Sequence, residues 1–269
     1  MSAVPRRLAG SPRPRRNPSR SGARPPPSET LAEQVAERLK RQIFAGAHAP
    51  GHKLPPELAI ASALGVNRFT VREAMNKLEE MRLIERRAGA GTVVLDYAQN
   101  ASVDVIEYLV LAEDGTANTE VLANLLESAR ILSSEIAGLA AERRGAEDLA
   151  ALDLVVLRMK SERNLSALVW LDFDFNWALA GAAKNIVPRL IMNSVRGLIE
   201  KHVHLLETLY VSPGSITAGY EHVVEAVRVG DPERARSLQR WIWTARHHRF
   251  VEVAEKRSRP PPAPAPGRG

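Results

Sequence analysis

From Thr30 onward, apolar residues return every three or four positions. Leu31, Val35, Leu39 and Ile43 recur with Glu33, Glu37, Arg38 and Lys40 between them, which predicts an amphipathic helix ending at Ala45-Gly46. Ala49-Pro50-Gly51 predicts a turn. A short helix over Glu57–Leu64 follows, closed by Gly65 as its C-terminal cap. A third helix starts at Asn67, a good N-cap, and carries Val71, Ala74, Met75 and Leu78 on one face. Two β-prone pieces, 83–85 and 92–95, flank the run Arg86-Arg87-Ala88-Gly89-Ala90-Gly91, which predicts a hairpin with a basic, glycine-rich tip. Residues 100–255 read as helix, with Gly145, Gly181 and Gly230 at the joints. One long apolar face there comprises Val121, Leu122, Leu125, Leu126, Ala129, Leu132 and Ile136, and another Ile191, Val195, Leu198 and Ile199.

These patterns predict a mainly α protein of two units. A winged helix-turn-helix is expected over 28–96 and an all-α helical bundle over 97–255. Residues 1–27 and 256–269 hold seven and five prolines with no periodicity, and are expected to be disordered tails. They also carry +11 of charge against a net +6, so the chain between them sums to −5. The basic balance thus describes the tails, and any nucleic-acid reading rests on where particular arginines stand.

The third helix supplies that placement. Opposite its apolar face it presents Arg68, Arg72 and Asn76 at intervals of four residues, on a cylinder that fits the major groove. Arg87 and the glycines of the hairpin tip suit contact with the backbone or minor groove. Cysteine is absent, which excludes disulfides and thiolate chemistry and fits a reducing, cytoplasmic setting. No apolar run is long enough for a bilayer span. A helical enzyme using Asp172, Asp174 and His222 is a rival reading, but no nucleophile triad, phosphate loop or metal pair accompanies those residues, and no enzyme is expected.

The runs Pro50-Gly51-His52-Lys53-Leu54-Pro55-Pro56-Glu57, Leu64-Gly65-Val66-Asn67-Arg68-Phe69-Thr70-Val71-Arg72-Glu73-Ala74 and Gly89-Ala90-Gly91-Thr92-Val93-Val94 resemble the GntR family of bacterial transcription regulators. The resemblance implies operator contacts by Arg68, Thr70, Arg72 and Gly89, to which the residue chemistry adds Asn67 and Arg87. Three positions depart from the family pattern: Leu58 stands where an arginine is usual, Asn67 where serine or threonine is common, and Ala90 where a basic residue is frequent. Loss of two cations is expected to weaken backbone affinity and flatten its salt dependence.

The second unit is similar to the FadR/FCD effector domain of that family, through residues 125–130, 171–185 and 219–222. Many such domains hold a divalent metal on an aspartate and three histidines. Here those positions fall on Asp172, Asn176, Tyr220 and near Ile242, so no metal or other cofactor is expected. The resemblance implies a homodimer on double-stranded operator DNA, controlled by a small effector such as an acyl-CoA, a fatty acid or another carboxylate. A metal-dependent regulator sensing a small organic acid is the alternative. Asp172, Asn176 and Tyr220 are the expected effector residues, with Arg130, which reads as a buried arginine on an apolar helix and so needs an anion: an effector, or Glu127, Asp172 or Asp174. Trp170, Phe173, Phe175 and Trp177 read as core packing.

Overall fold

The computed structural model describes residues 29–89, 91–111, 116–209 and 213–258. The expected arm over 1–27, Ala90 in the wing and the tail from 259 onward lie outside these residues. Three helices come first, α1 (Leu31–Phe44), α2 (Glu57–Leu64) and α3 (Arg68–Glu80), followed by strands β1 (Ile84–Arg87) and β2 (Gly91–Val94). A connector of α4 (Tyr97–Asn100), a 3-10 turn (Val103–Val105) and α5 (Ile106–Leu109) leads to α6 (Thr119–Arg143). The chain continues through α7 (Ala146–Ser161), α8 (Leu165–Ala182), α9 (Ile186–Glu207), α10 (Pro213–Val229) and α11 (Pro232–Ser258), which runs past the boundary expected at 255.

Local chemistry sets the helix ends of the first unit. Thr30 and Glu33 form a reciprocal capping box, the Thr30 N–H donating to Glu33 Oε2 at 2.8 Å and the Glu33 N–H to Thr30 Oγ1 at 3.2 Å. Lys77 of α3 adds an ion pair to the same carboxylate at 2.9 Å. That bond, with those from Thr30, lowers the Glu33 pKa to about 2. Gly65 closes α2 at φ +67°, a left-handed conformation that makes room for the tight turn into α3. Val71, Ala74, Met75 and Leu78 are wholly buried against Val35, Leu39 and Ile43 of α1 and Ile60 of α2. Leu31, expected in the α1 stripe, is instead exposed, and Ala32 and Ala36 take the inner positions. The strands pair antiparallel with Ile84 opposite Val94 and Arg87 opposite Gly91, and Leu54 donates its N–H to the Thr92 carbonyl at 2.9 Å, which ties the pre-α2 turn to the wing.

In the bundle, α6 and α11 lie side by side along most of their length. The approach is close because the α6 face turned inward beyond residue 132 is made of Ser133, Ser134, Ala137, Gly138, Ala140 and Ala141, all buried. Leu132, expected on that face, points to solvent together with Ile131. Small residues there let the helix backbones meet, which a leucine would prevent. Phe175, Leu179, Tyr220, Val223 and Leu152 complete the main core from α8, α10 and α7, and Phe173 is buried in a separate cluster between α8 and α9. No helix among the described residues is long and apolar enough to cross a membrane.

The connector joins the two units by specific contacts. Tyr108 of α5 stacks on Phe44 of α1 with ring centroids 5.4 Å apart and planes 4° from parallel. Its hydroxyl accepts from Lys40 Nζ at 2.5 Å and donates to Glu37 Oε1 at 3.1 Å. On the other side Glu107 pairs with Lys201 of α9 at 2.9 Å, beside a kink at His202, whose φ of −133° departs from helix.

An added Cβ at Gly65 would meet nothing within 4 Å, so Gly65→Ala isolates the conformational strain. It is expected to lower stability by about 1–2 kcal/mol, measured by chemical denaturation.

Candidate functional site

The outward face of α3 begins at Asn67, whose Oδ1 accepts the Thr70 N–H at 2.7 Å and so starts the helix. Arg68 projects into solvent, 68% of its side chain exposed, while its Nε bonds to Glu57 Oε2 at 3.1 Å. Glu57, at the start of α2, therefore aims the guanidinium rather than burying it. Arg72 and Asn76 are exposed on the same side. The Arg72 guanidinium makes no hydrogen bond or ion pair among the described residues. Thr70 departs from the expected contact set: its side chain is buried because it falls on the apolar side with Val71 and Ala74, and its N–H is already bonded to Asn67. Phe69, which sequence reading left aside, is exposed within this face, and Leu58 is exposed on α2. Their signal was there: neither falls in register with the buried positions of its helix.

The wing is fixed beside α3 by one acidic side chain. Glu79 accepts from the Arg86 N–H at 3.1 Å and from its Nη1 at 2.8 Å, and Arg86 Nη2 reaches the Arg72 carbonyl at 3.4 Å. Arg87 lies further out, half exposed, and pairs with Glu85 at 2.7 Å. Gly89 and Gly91 take φ of +73° and +86°, so the tip needs residues without a Cβ. Both arginines of α3 and the wing guanidinium of Arg87 are thus held on an exposed surface.

A second cluster lies inside the bundle, where α8, α10 and α11 meet. Arg246, 5% exposed, grips the Asp172 carboxylate with both ends, Nη1 to Oδ2 at 3.0 Å and Nη2 to Oδ1 at 2.5 Å. Tyr220 donates its hydroxyl to Asp172 Oδ1 and accepts from Arg246 Nη2 at 2.8 Å. Burial pushes the Tyr220 phenol well above its ordinary range, opposed by the nearby guanidinium, so it stays protonated and remains a donor. Asn176 bonds the Asp172 carbonyl at 2.9 Å and accepts from Gln239 Nε2 at 2.9 Å. Three of the four expected effector residues therefore belong to one network.

Arg130 does not. It keeps 32% of its side chain in solvent and stands 3.7 Å from Glu127 one turn away on its own helix. Arg130 is not the buried arginine expected, because α6 turns its small residues inward and leaves Arg130 at the edge beside Glu127, one of the partners weighed for it. Elsewhere in the bundle, Leu122, Leu125 and Leu126 of α6, Leu205 and Leu206 of α9, Leu209 beyond it and Phe250 of α11 line a small apolar cavity. Trp243 packs against the same group, and its Nε1, like Gln239 Oε1 and Arg249 Nε, is buried without a hydrogen-bond partner among the described residues.

Comparison with known proteins agrees with both halves of this geometry. Residues 31–94 match the family described as bacterial regulatory proteins, gntR family, and residues 124–248 match the FCD domain. The HTH-type transcriptional regulator Mce2R of Mycobacterium tuberculosis is 30% identical over 209 residues, spanning 77% of this chain and 86% of that protein. The chain belongs to the GntR family. It is a DNA-binding transcription regulator with an FCD effector-binding domain, not an enzyme. The HTH-type regulator LutR of Bacillus subtilis is 28% identical over 194 residues, 70% of this chain and 86% of LutR. The solved structure of Lar, which controls expression of the agr system in Listeria monocytogenes, shares the fold with a TM-score of 0.54 at 19% identity, over 83% of this chain and 98% of Lar.

Where FCD domains of the metal-binding kind carry an aspartate and three histidines, this GntR-family chain offers a poor donor set. The four positions hold a carboxylate, an amide, a protonated phenol and, at Ile242, a hydrocarbon, and both oxygens of Asp172 already receive a guanidinium. A divalent ion does not fit there. Arg246 supplies the positive charge instead, from a position four residues beyond the one the metal pattern points to.

Removing one partner of this ion pair strands the other in the core. Asp172→Asn is expected to cost about 3–5 kcal/mol in urea unfolding, whereas Asp172→Leu combined with Arg246→Met costs less than the single change.

Proposed function

We propose that the protein is a homodimeric repressor or activator whose hold on a pseudo-palindromic operator is set by a small carboxylate with an apolar tail, of the fatty-acid or acyl-CoA kind. The DNA half of this reading rests on one observation: Arg68 and Arg72 stand exposed on the free face of α3 with the Glu79-clamped wing beside them. In the proposed complex α3 enters the major groove, Arg68 and Arg72 bond base edges, and the Asn67 amide nitrogen reaches phosphate. Arg87 and the Gly89 backbone lie along the sugar-phosphate chain. A DNA partner places this work in the cytoplasm. The basic N-terminal arm would add only salt-sensitive, sequence-independent affinity.

Homodimerisation through the bundle is supported by the apolar side chains it leaves in water. Leu154 and Leu157 sit one turn apart on α7, and Ile186, Val187 and Leu190 cluster at the start of α9, all more than half exposed. The effector reading rests on the leucine-lined cavity and on the unpaired donor at Trp243 Nε1 beside it. At about 20 Å3 of free volume the cavity holds little more than a water, so an acyl chain enters only if α9 and α11 part. Leu205, Leu206 and Leu209 follow the α9 kink, and Lys201 just before it pairs with Glu107, the neighbour of Tyr108. Parting those helices therefore pulls on the connector that grips α1. A tenfold change in operator occupancy requires only about 1.4 kcal/mol of difference in effector affinity between the two dimer geometries.

Titration into the DNA upstream of its own gene decides the DNA half: retardation at low salt with discrimination against scrambled duplex is expected, and equal binding to both overturns it. Arg72→Ala is expected to lose about 1–3 kcal/mol of sequence discrimination, whereas Arg87→Ala lowers affinity for all sequences alike and reduces the salt slope by about one. For the effector half, a thermal-shift series over fatty acids, acyl-CoAs and short carboxylates is expected to raise Tm for apolar-tailed members only, and Leu126→Trp, which fills the cavity, to abolish that rise. A rise with short polar acids alone refutes the tail.

A further inference from the structure

Helix α3 has a well-defined outward line. Its buried residues are Thr70, Val71, Ala74, Met75 and Leu78. At about 100° of turn per residue these centre on one direction, and the side chains within about 15° of the opposite direction are Phe69 and Asn76. Arg72 stands about 50° to one side of that line and Arg68 about 90°, at the flank where Glu57 holds it. The residue aimed most directly away from the protein is thus a phenylalanine, in the first turn of the helix and 69% exposed. No aromatic ring or cation packs on it among the described residues, and it belongs neither to the buried apolar cluster of the unit nor to the side chains packed against that cluster.

A phenyl ring has no donor or acceptor, so it cannot take part in the hydrogen-bond code of base edges. The major groove offers it one apolar feature, the C5-methyl group of thymine. We propose that Phe69 is a specificity-determining residue that reads a thymine methyl in each half-site, beside the bases contacted by Arg72. The inference rests on α3 lying in the major groove and names what its central position selects. It also accounts for a departure in charge: with Leu58 in place of a cation on α2, this interface relies more on apolar contact and less on phosphate.

The test uses the full-length protein and duplexes selected by it from a random-sequence pool. Each thymine of the enriched half-site is replaced in turn by uracil, which removes only the methyl group. One replacement per half-site is expected to weaken binding about fourfold, the worth of one buried methyl. Phe69→Ala is expected to bind the thymine duplex about as weakly as the wild type binds the uracil one, to be indifferent to that replacement, and to keep the wild-type Tm. Phe69→Leu restores part of the discrimination. If no single uracil discriminates the wild type from Phe69→Ala, or if Phe69→Ala loses affinity equally for scrambled DNA, the proposal is overturned while operator binding stands. If the pool yields no enriched sequence, the groove reading fails and the proposal with it.

Discussion

The rotation of α3 about its own axis is the constraint on which the reading surface depends. Val71, Ala74, Met75 and Leu78 have no exposed surface, and turning the helix by even one residue position would put one of them in water and drive an arginine or Phe69 into the core. Burying Val71, Met75 or Leu78 is worth about 1.5–3 kcal/mol each, and driving a guanidinium inward without a partner costs far more. The helix start is set by Asn67 and the preceding turn by Gly65, so phase, start and entry angle are all specified within fourteen residues of sequence. The wing is then registered to α3 through Glu79, which receives both the backbone and the side chain of Arg86. Of the two adjacent wing arginines one is structural and one faces outward, a division of labour that charge counting alone does not reveal.

The bundle follows a different logic. Its contact between α6 and α11 is made of small side chains, with Arg236 lying across Gly138 and pairing with Glu135, Glu142 and Glu233. A Cβ at Gly138 would sit 2.5 Å from that guanidinium, so the glycine makes room for a salt-bridge network and not for backbone freedom. Exposed members of such a network contribute little individually. Cohesion comes from the apolar core around Phe175, Leu179 and Tyr220, where the rings of Phe175 and Tyr220 stack 3.9 Å apart, and from the Asp172–Arg246 pair buried beside them.

Much of the first unit was legible in the order of its residues, because its determinants are local: a four-residue apolar period, a cap, a glycine, a hairpin tip. The exceptions are instructive. Thr70 lies within a motif that implies DNA contact, yet its helical position puts it on the buried side. Phe69 passes for one more core residue until its offset from 71, 74, 75 and 78 is noticed. In the bundle, long-range partners defeat local reading. Arg246 is separated from Asp172 by 74 positions, on a helix whose apolar and polar residues show almost no sidedness, so nothing near it in sequence marks it as buried. Arg130, set among the apolar residues of α6, carried the stronger local signal and proved peripheral. Asp172, Asn176 and Tyr220 were singled out only through the family pattern, and the cation at the centre of the buried network they form lay outside that pattern.

The Arg246 guanidinium has a property that a coordinated ion lacks: it is covalently part of the chain. It is present at one equivalent per molecule from the moment of synthesis and cannot be lost by dilution or sequestration. A shortage of zinc or iron leaves this central charge in place. The bundle thus carries its own counter-charge for Asp172 within the polypeptide.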